Sequence, residues 1–218
     1  MRRHVAATLI VLGTAQHCVA GQTYDLFFHA GSLTDASGTP LAAALDYAGQ
    51  LAGPTAVGGS ETYLVQIGPA ADGLTGITLQ EGGRTRILGT YEAVTGNPVI
   101  MYFLESTLRQ MADVSGGSPF YIRNRIKEAL LEDAEIVPAE FDLGGQIIAA
   151  EQVTIHPFAN DAARNRMGDF ADLTLSVTVG EAIPGWYGKL AAFTSPDGDE
   201  AYSNTLTLTG AGPEGTPQ

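Results

Sequence analysis

Basic charge is scarce in this chain. Its 218 residues carry 11 Lys+Arg against 24 Asp+Glu, a net charge of −13. Such a chain lacks the electrostatic footprint of a nucleic-acid binder, and an anionic membrane surface repels it. Charge of either sign is sparse, at 16% against about 25% in an average protein. Cysteine is all but missing: Cys18 is the only one, so no intrachain disulfide staples the fold. No apolar run approaches the roughly 20 residues that a membrane-spanning helix needs. Catalytic signatures are missing too. Gly58-Gly59-Ser60-Glu61 and Gly116-Gly117-Ser118-Pro119 lack the Gly-x-Ser-x-Gly of a hydrolase elbow. No phosphate loop, dinucleotide fingerprint or zinc-type cluster occurs. The residues therefore point to no catalytic group, no metal site and no cofactor.

What is there begins with an export signal. Arg2-Arg3 is a positive start, residues 5–15 are a short apolar run, and Cys18-Val19-Ala20 is a small-x-small cleavage site. The pattern resembles bacterial Sec export, with a mature chain starting at Gly21 and a periplasmic or extracellular location. Lipid attachment at Cys18 is disfavoured, because His17 stands where a small residue belongs and Ala15 where Leu belongs. The flanks of Arg2-Arg3 also lack a twin-arginine export pattern. Removing residues 1–20 leaves 9 − 24 = −15 charges and no thiol. That acidity keeps an exported protein soluble.

With 27 glycines and 44% hydrophobic residues, residues 21–211 read as one turn-rich β domain with a real core, and residues 212–218 as a disordered tail. The organising stretch is residues 97–133. Asn97 is a helix cap and Pro98 fits the first helical position. Ile100, Phe103/Leu104, Leu108 and Met111 then form a one-sided stripe. Gly116-Gly117 ends the helix, Ser118-Pro119 caps and starts another, and Ile122, Ile126, Ala129 and Leu130 make its stripe. The result is an αα-hairpin that needs a sheet to cover it.

Strands flank the hairpin on both sides. Residues 24–29 alternate Tyr24, Leu26 and Phe28. Residues 41–51 suit helix or strand, and the strand is preferred for its neighbours. Residues 62–68 are a strand, and 74–80 with 84–91 are a hairpin over Gly82-Gly83. After the helices come strands at 141–149, 152–157 and 172–180. Residues 160–168 are a loop with one helical turn. A last hairpin joins 187–194 to 201–209 over Pro196-Asp197-Gly198. The fold class is α+β: mainly antiparallel β, a strongly bent sheet or open barrel, with the αα-hairpin packed on it. This element order resembles that of periplasmic lipoprotein carriers and related envelope sensors, in which helices plug an incomplete β-barrel. It differs in lacking the carriers' N-terminal helix.

Candidate contact residues are few. Trp186, the only tryptophan, sits with Tyr187 in the turn Ile183-Pro184-Gly185-Trp186-Tyr187-Gly188, where it either meets a ligand or folds over the sheet edge. Arg123, Arg125 and Lys127 are three of the nine cations after residue 20. They contact an anion or acidic partner, or pair with Glu128, Glu132 and Asp133 nearby. Met101, Tyr102, Phe103 and Met111 form a soft aromatic stripe that is either core or the wall of an apolar site. Glu105 and Arg109 read as a surface ion pair. His29 and His156 read as ordinary polar-face histidines. Asp197-Gly198-Asp199-Glu200, and Asp161, Asp169 and Asp172, suggest calcium only weakly, without the spacing of an EF-hand. The best-supported function is non-enzymatic binding of an apolar small molecule or lipid-like group between sheet and helices. The alternative is an envelope scaffold that docks a protein through a strand edge, Trp186 or the 123–127 face. A hydrolase or metal-dependent enzyme around His156 ranks last.

Overall fold

The computed structural model describes residues 21–54, 56, 59–194 and 201–213. The export signal, the acidic turn at 197–200 and residues 214–218 lie outside the described residues. Nine strands form one antiparallel sheet: β1 (Ala43–Ala52), β2 (Ser60–Pro69), β3 (Thr75–Glu81), β4 (Arg84–Tyr91), β5 (Glu135–Leu143), β6 (Gln146–Ile155), β7 (Thr174–Val179), β8 (Tyr187–Phe193) and β9 (Ser203–Pro213). Their order is β4-β3-β2-β1-β9-β8-β7-β6-β5. Two meanders thus meet where the last strand pairs with the first. The ends of the first and the start of the second meander, β4 and β5, are the two open edges. Pro138 lies in β5, where an edge strand tolerates its missing N–H.

Two helices link those edges. α2 (Val99–Ser115) and α3 (Pro119–Ala129) follow β4 and precede β5, so the chain must carry them across one face of the sheet. Asn97 Oδ1 accepts the Val99 N–H at 3.1 Å, and Pro98 has helical angles, which is the cap-and-proline start that the sequence shows. Gly116 ends α2 with φ 64°, a left-handed value that only glycine adopts without strain. Ser118 starts α3 by its extended backbone; its side chain makes no capping hydrogen bond, contrary to expectation. The stripes Ile100, Phe103, Leu104, Leu108, Met111 and Ile122, Ile126, Leu130 are all buried against alternate residues of the strands, among them Leu45, Tyr47, Val65, Val177, Leu190 and Leu206.

Three expectations are corrected. Residues 24–29 are not a strand: α1 (Gln22–Phe27) is a short helix ahead of β1. Helical spacing puts Thr23 and Phe27 inward together, both fully buried, and brings the rings of Tyr24 and Phe28 within 4.9 Å. The strands at 141–149 and 152–157 are displaced. Gly144 and Gly145, with φ 62° and 90°, form a two-residue hairpin turn between β5 and β6, with Leu143 opposite Gln146. Asp142 Oδ1 accepts the Gly145 N–H at 2.7 Å and locks that turn. Finally, β9 runs on to Pro213, so residues 212 and 213 are strand rather than tail.

Candidate functional site

The helix–sheet interface is filled at its centre and open towards β4. Phe103, Leu108 and Met111 fill the centre. Beside them runs a buried polar seam. Asn204 Oδ1 accepts the Tyr63 hydroxyl at 2.5 Å, and its amide reaches Thr107 Oγ1 at 3.3 Å and Ser106 Oγ at 3.4 Å. The Tyr202 hydroxyl donates to Gln110 Oε1 at 2.5 Å. Next to this seam a cleft of about 500 Å³ opens between α2 and the β3–β4 hairpin, a volume typical of small-molecule sites, about 300–1,000 Å³.

Periodicity explains the lining. Ile77, Leu79 and Glu81 alternate along β3 and share a face, and Leu79 pairs with Arg86 across the ladder. With Leu88 and Tyr91 they make the sheet wall. Met101, Glu105 and Arg109 recur every four residues on α2, beside Tyr102, Ser106 and Gln110, and make the helix wall. The charges are ordered. Arg123 of α3 forks onto Glu105 through Nε at 3.0 Å and Nη2 at 2.9 Å. Its hydrogen bonds hold the Glu105 carboxyl below the ordinary range against partial burial, with the charges of Arg123 and Arg109 adding. Burial pushes the Tyr102 hydroxyl up to about 12; Glu81 reinforces and Arg86 opposes that shift. Arg86 and Arg109 are exposed at the mouth and enter none of the four ion pairs among the described residues. The cleft is amphipathic: Ile77, Leu79, Leu88 and Met101 supply apolar walls, and Glu81, Arg86, Glu105 and Arg109 set two charges of each sign on its lining.

No family model matches this chain, and no curated protein matches it. Among solved structures, the Mycobacterium tuberculosis lipoprotein LppX overlays with a TM-score of 0.31 and 10% identity, covering 79% of this chain and 89% of LppX. MucB overlays with a TM-score of 0.31 and 11% identity, covering 91% of this chain and 60% of MucB. Overlap at that level transfers neither ligand nor chemistry.

The candidate residues scatter. Met101, 49% exposed, and the half-buried Tyr102 line the cleft; the Tyr102 ring meets Tyr63 edge-on at 6.4 Å. Phe103 points the other way and is wholly core. The expected Glu105–Arg109 pair is replaced by Glu105–Arg123, because α3 brings the better-aligned guanidinium. Arg125 pairs with Glu128, as the local reading has it, but also lies 2.8 Å from Asp161 Oδ2. Lys127 is exposed. Trp186 is 8% exposed; it stacks on His29 at 3.9 Å and donates from Nε1 to the Leu26 carbonyl at 3.0 Å. The Tyr187 hydroxyl donates to the Phe27 carbonyl at 2.6 Å. Together they clamp α1 to the β7–β8 turn.

A larger hollow, about 590 Å³, lies beside His156. Several of its polar groups are engaged in structural contacts. Thr174 Oγ1 is 3.1 Å from His156 Nδ1, while Arg164 binds the Phe158 and Ala171 carbonyls and Asp172. Asp161 is taken up by the Tyr121 hydroxyl at 2.7 Å and the Ala163 N–H at 2.6 Å. Sequence reading missed Leu79, Arg86 and Leu88 as site residues. Their signal was available: the two-residue turn at Gly82-Gly83 sets Glu81 opposite Arg84 and so Leu79 opposite Arg86.

Proposed function

We propose that the mature chain is an exported, non-enzymatic envelope protein that holds an apolar or lipid-like ligand in the cleft between α2 and the β3–β4 hairpin. The observation that carries this reading is the unfilled slot itself. The helix stripes are buried against the sheet, while Met101, off the stripe on α2, is 49% exposed beside Leu79 and Leu88. Apolar walls from two different elements offer a chain-like ligand burial on both sides, worth about 25 cal/mol per Å² of apolar surface removed from water.

The test uses the mature protein and a neutral fluorescent naphthylamine. The probe binds with enhanced emission, and Met101→Asp, which sets a charge on the apolar wall, weakens binding about tenfold. Phe120→Asp, at the exposed tip of the αα-hairpin, leaves binding unchanged. A probe that fails to bind, or binds Met101→Asp as well as the parent, refutes the reading. A second reading, docking of a protein segment along β4, rests on that strand's open edge and on Ile87, 75% exposed on it.

A further inference from the structure

The charges around the cleft specify more than an apolar ligand. Resting on the binding reading above, we infer that the occupant is a single-chain amphiphile with an anionic head, its chain along Leu79, Leu88 and Met101 and its carboxylate or phosphate between Arg86 and Arg109. The distribution of charge carries the inference. Nine cations follow residue 20 (11 minus Arg2 and Arg3). Four of them gather here: Arg86 and Arg109 line the cleft, Arg84 stands opposite Glu81 in the ladder, and Arg123 forks onto Glu105. Among the described residues, the acids that line the cleft are Glu81 and Glu105; Arg123 forks onto Glu105, while Glu81 stands across the ladder from Arg84 with no ion pair between them among the described residues. With Glu105 taken by Arg123, Arg86 and Arg109 on opposite walls outnumber the one remaining lining acid, Glu81.

Two guanidinium groups facing one gap suit a multi-oxygen anion, which each can fork. The protein's overall negative charge does not cancel this. At physiological salt the screening length is about 8 Å, so an anion at the mouth feels the two arginines before the distant acids. The hydrocarbon walls require a chain as well as a head, which separates this occupant from a free anion.

The experiment compares dodecanoate, dodecyl phosphate and dodecanol as competitors for the naphthylamine on the mature protein, below their micelle-forming concentrations. Both anionic chains are expected to bind about tenfold or more tightly than dodecanol. The preference disappears in the double variant Arg86→Gln/Arg109→Gln, with dodecanol affinity unchanged, and persists in Arg166→Gln. In the parent protein it shrinks when salt is raised to about 1 M, where screening acts over about 3 Å; that readout needs no variant. Equal affinity for all three chains overturns the head-group assignment and leaves the apolar cleft standing. Inorganic phosphate displacing the probe unaided overturns the amphiphile in favour of a free anion. If no chain competes and Met101→Asp has no effect on the probe, the cleft reading falls, and the head group with it.

Discussion

Asn97 shows how much one buried amide can hold. It is 3% exposed. Its Nδ2 donates to the Tyr47 hydroxyl at 2.9 Å and to the Gly185 carbonyl at 3.0 Å, its Oδ1 accepts from Val99, and its backbone N–H reaches Ser32 Oγ at 2.9 Å. β1, the β7–β8 turn, the 31–34 loop and the start of α2 therefore meet at this side chain. Gly185 is part of the same fit: its φ is 73°, and a Cβ there would lie 2.3 Å from Leu45 Cδ1. Asn97→Ala strands the Gly185 carbonyl, the Val99 N–H and the Tyr47 hydroxyl in the core. Each buried polar group left without a partner costs about 1–3 kcal/mol, and partial rearrangement offsets some of it. Urea denaturation should show a loss of about 3 kcal/mol with an unchanged slope. A loss under about 1 kcal/mol would mean that water replaces the amide. In the sequence Asn97-Pro98 is plain as a helix start. The second use of the same side chain, across to Tyr47 and Gly185, depends on residues 50 and 88 positions away, and no local pattern announces it.

At the scale of elements, α3 is held by two acid–base connections. Glu105 ties it to α2 through Arg123, and Asp161 ties it to the 156–173 loop through Tyr121 and Arg125. Both carboxyls are held below their ordinary values of 4.5 and 3.8. For Glu105 the Arg123 hydrogen bonds are the main cause. For Asp161 burial works against ionisation, but Tyr121, the Ala163 N–H and Arg125 outweigh it. A depressed folded-state pKa stabilises fully above the unfolded value and fades as pH falls through the folded one. Both ties are therefore intact above about pH 5 and weaken progressively below pH 4. Hydrogen exchange at pH 3 should show α3 opening ahead of β7 and β8, and Glu105→Gln with Asp161→Asn should produce that opening already at pH 7. Exchange in α3 that stays level with β7 from pH 7 to 3 would remove both ties from the account. The helices themselves are legible in the sequence from Pro98, Gly116 and the stripes. Their ties are not, because Arg123 prefers a carboxylate 18 residues away to any acid on its own helix.

At the scale of the molecule, β9 joins two meanders into one sheet by pairing with both β1 and β8. Neither meander is a closed unit, since each shares that central seam and the cover of α2. Unfolding should therefore be a single cooperative event. Trp186 fluorescence, reporting on the α1 clamp, and far-ultraviolet circular dichroism, reporting on the sheet, should give coincident urea transitions. Separate midpoints would show that the meanders unfold independently.

The sequence alone determined the αα-hairpin, most strands and the mainly antiparallel class, because each rests on patterns within a few residues: 3.6-residue stripes, alternation, cap residues and glycine pairs. Even there it failed where two patterns fitted, as at residues 24–29, where Tyr24 and Phe28 fit strand alternation and also meet at helical spacing. Only the tertiary structure decided where the cleft lies. Met101, Tyr102 and Phe103 are consecutive and chemically alike, yet Phe103 is sealed in the core while Met101 stands open beside β3 and β4. The 3.6-residue stripe already turns Phe103 inward and leaves Met101 off it; what faces Met101 is decided by the β3–β4 hairpin, which places Leu79 and Leu88 across the gap. Such long-range fits leave no trace in local spacing, so a site built on them becomes visible only when the sheet and the helices are in place.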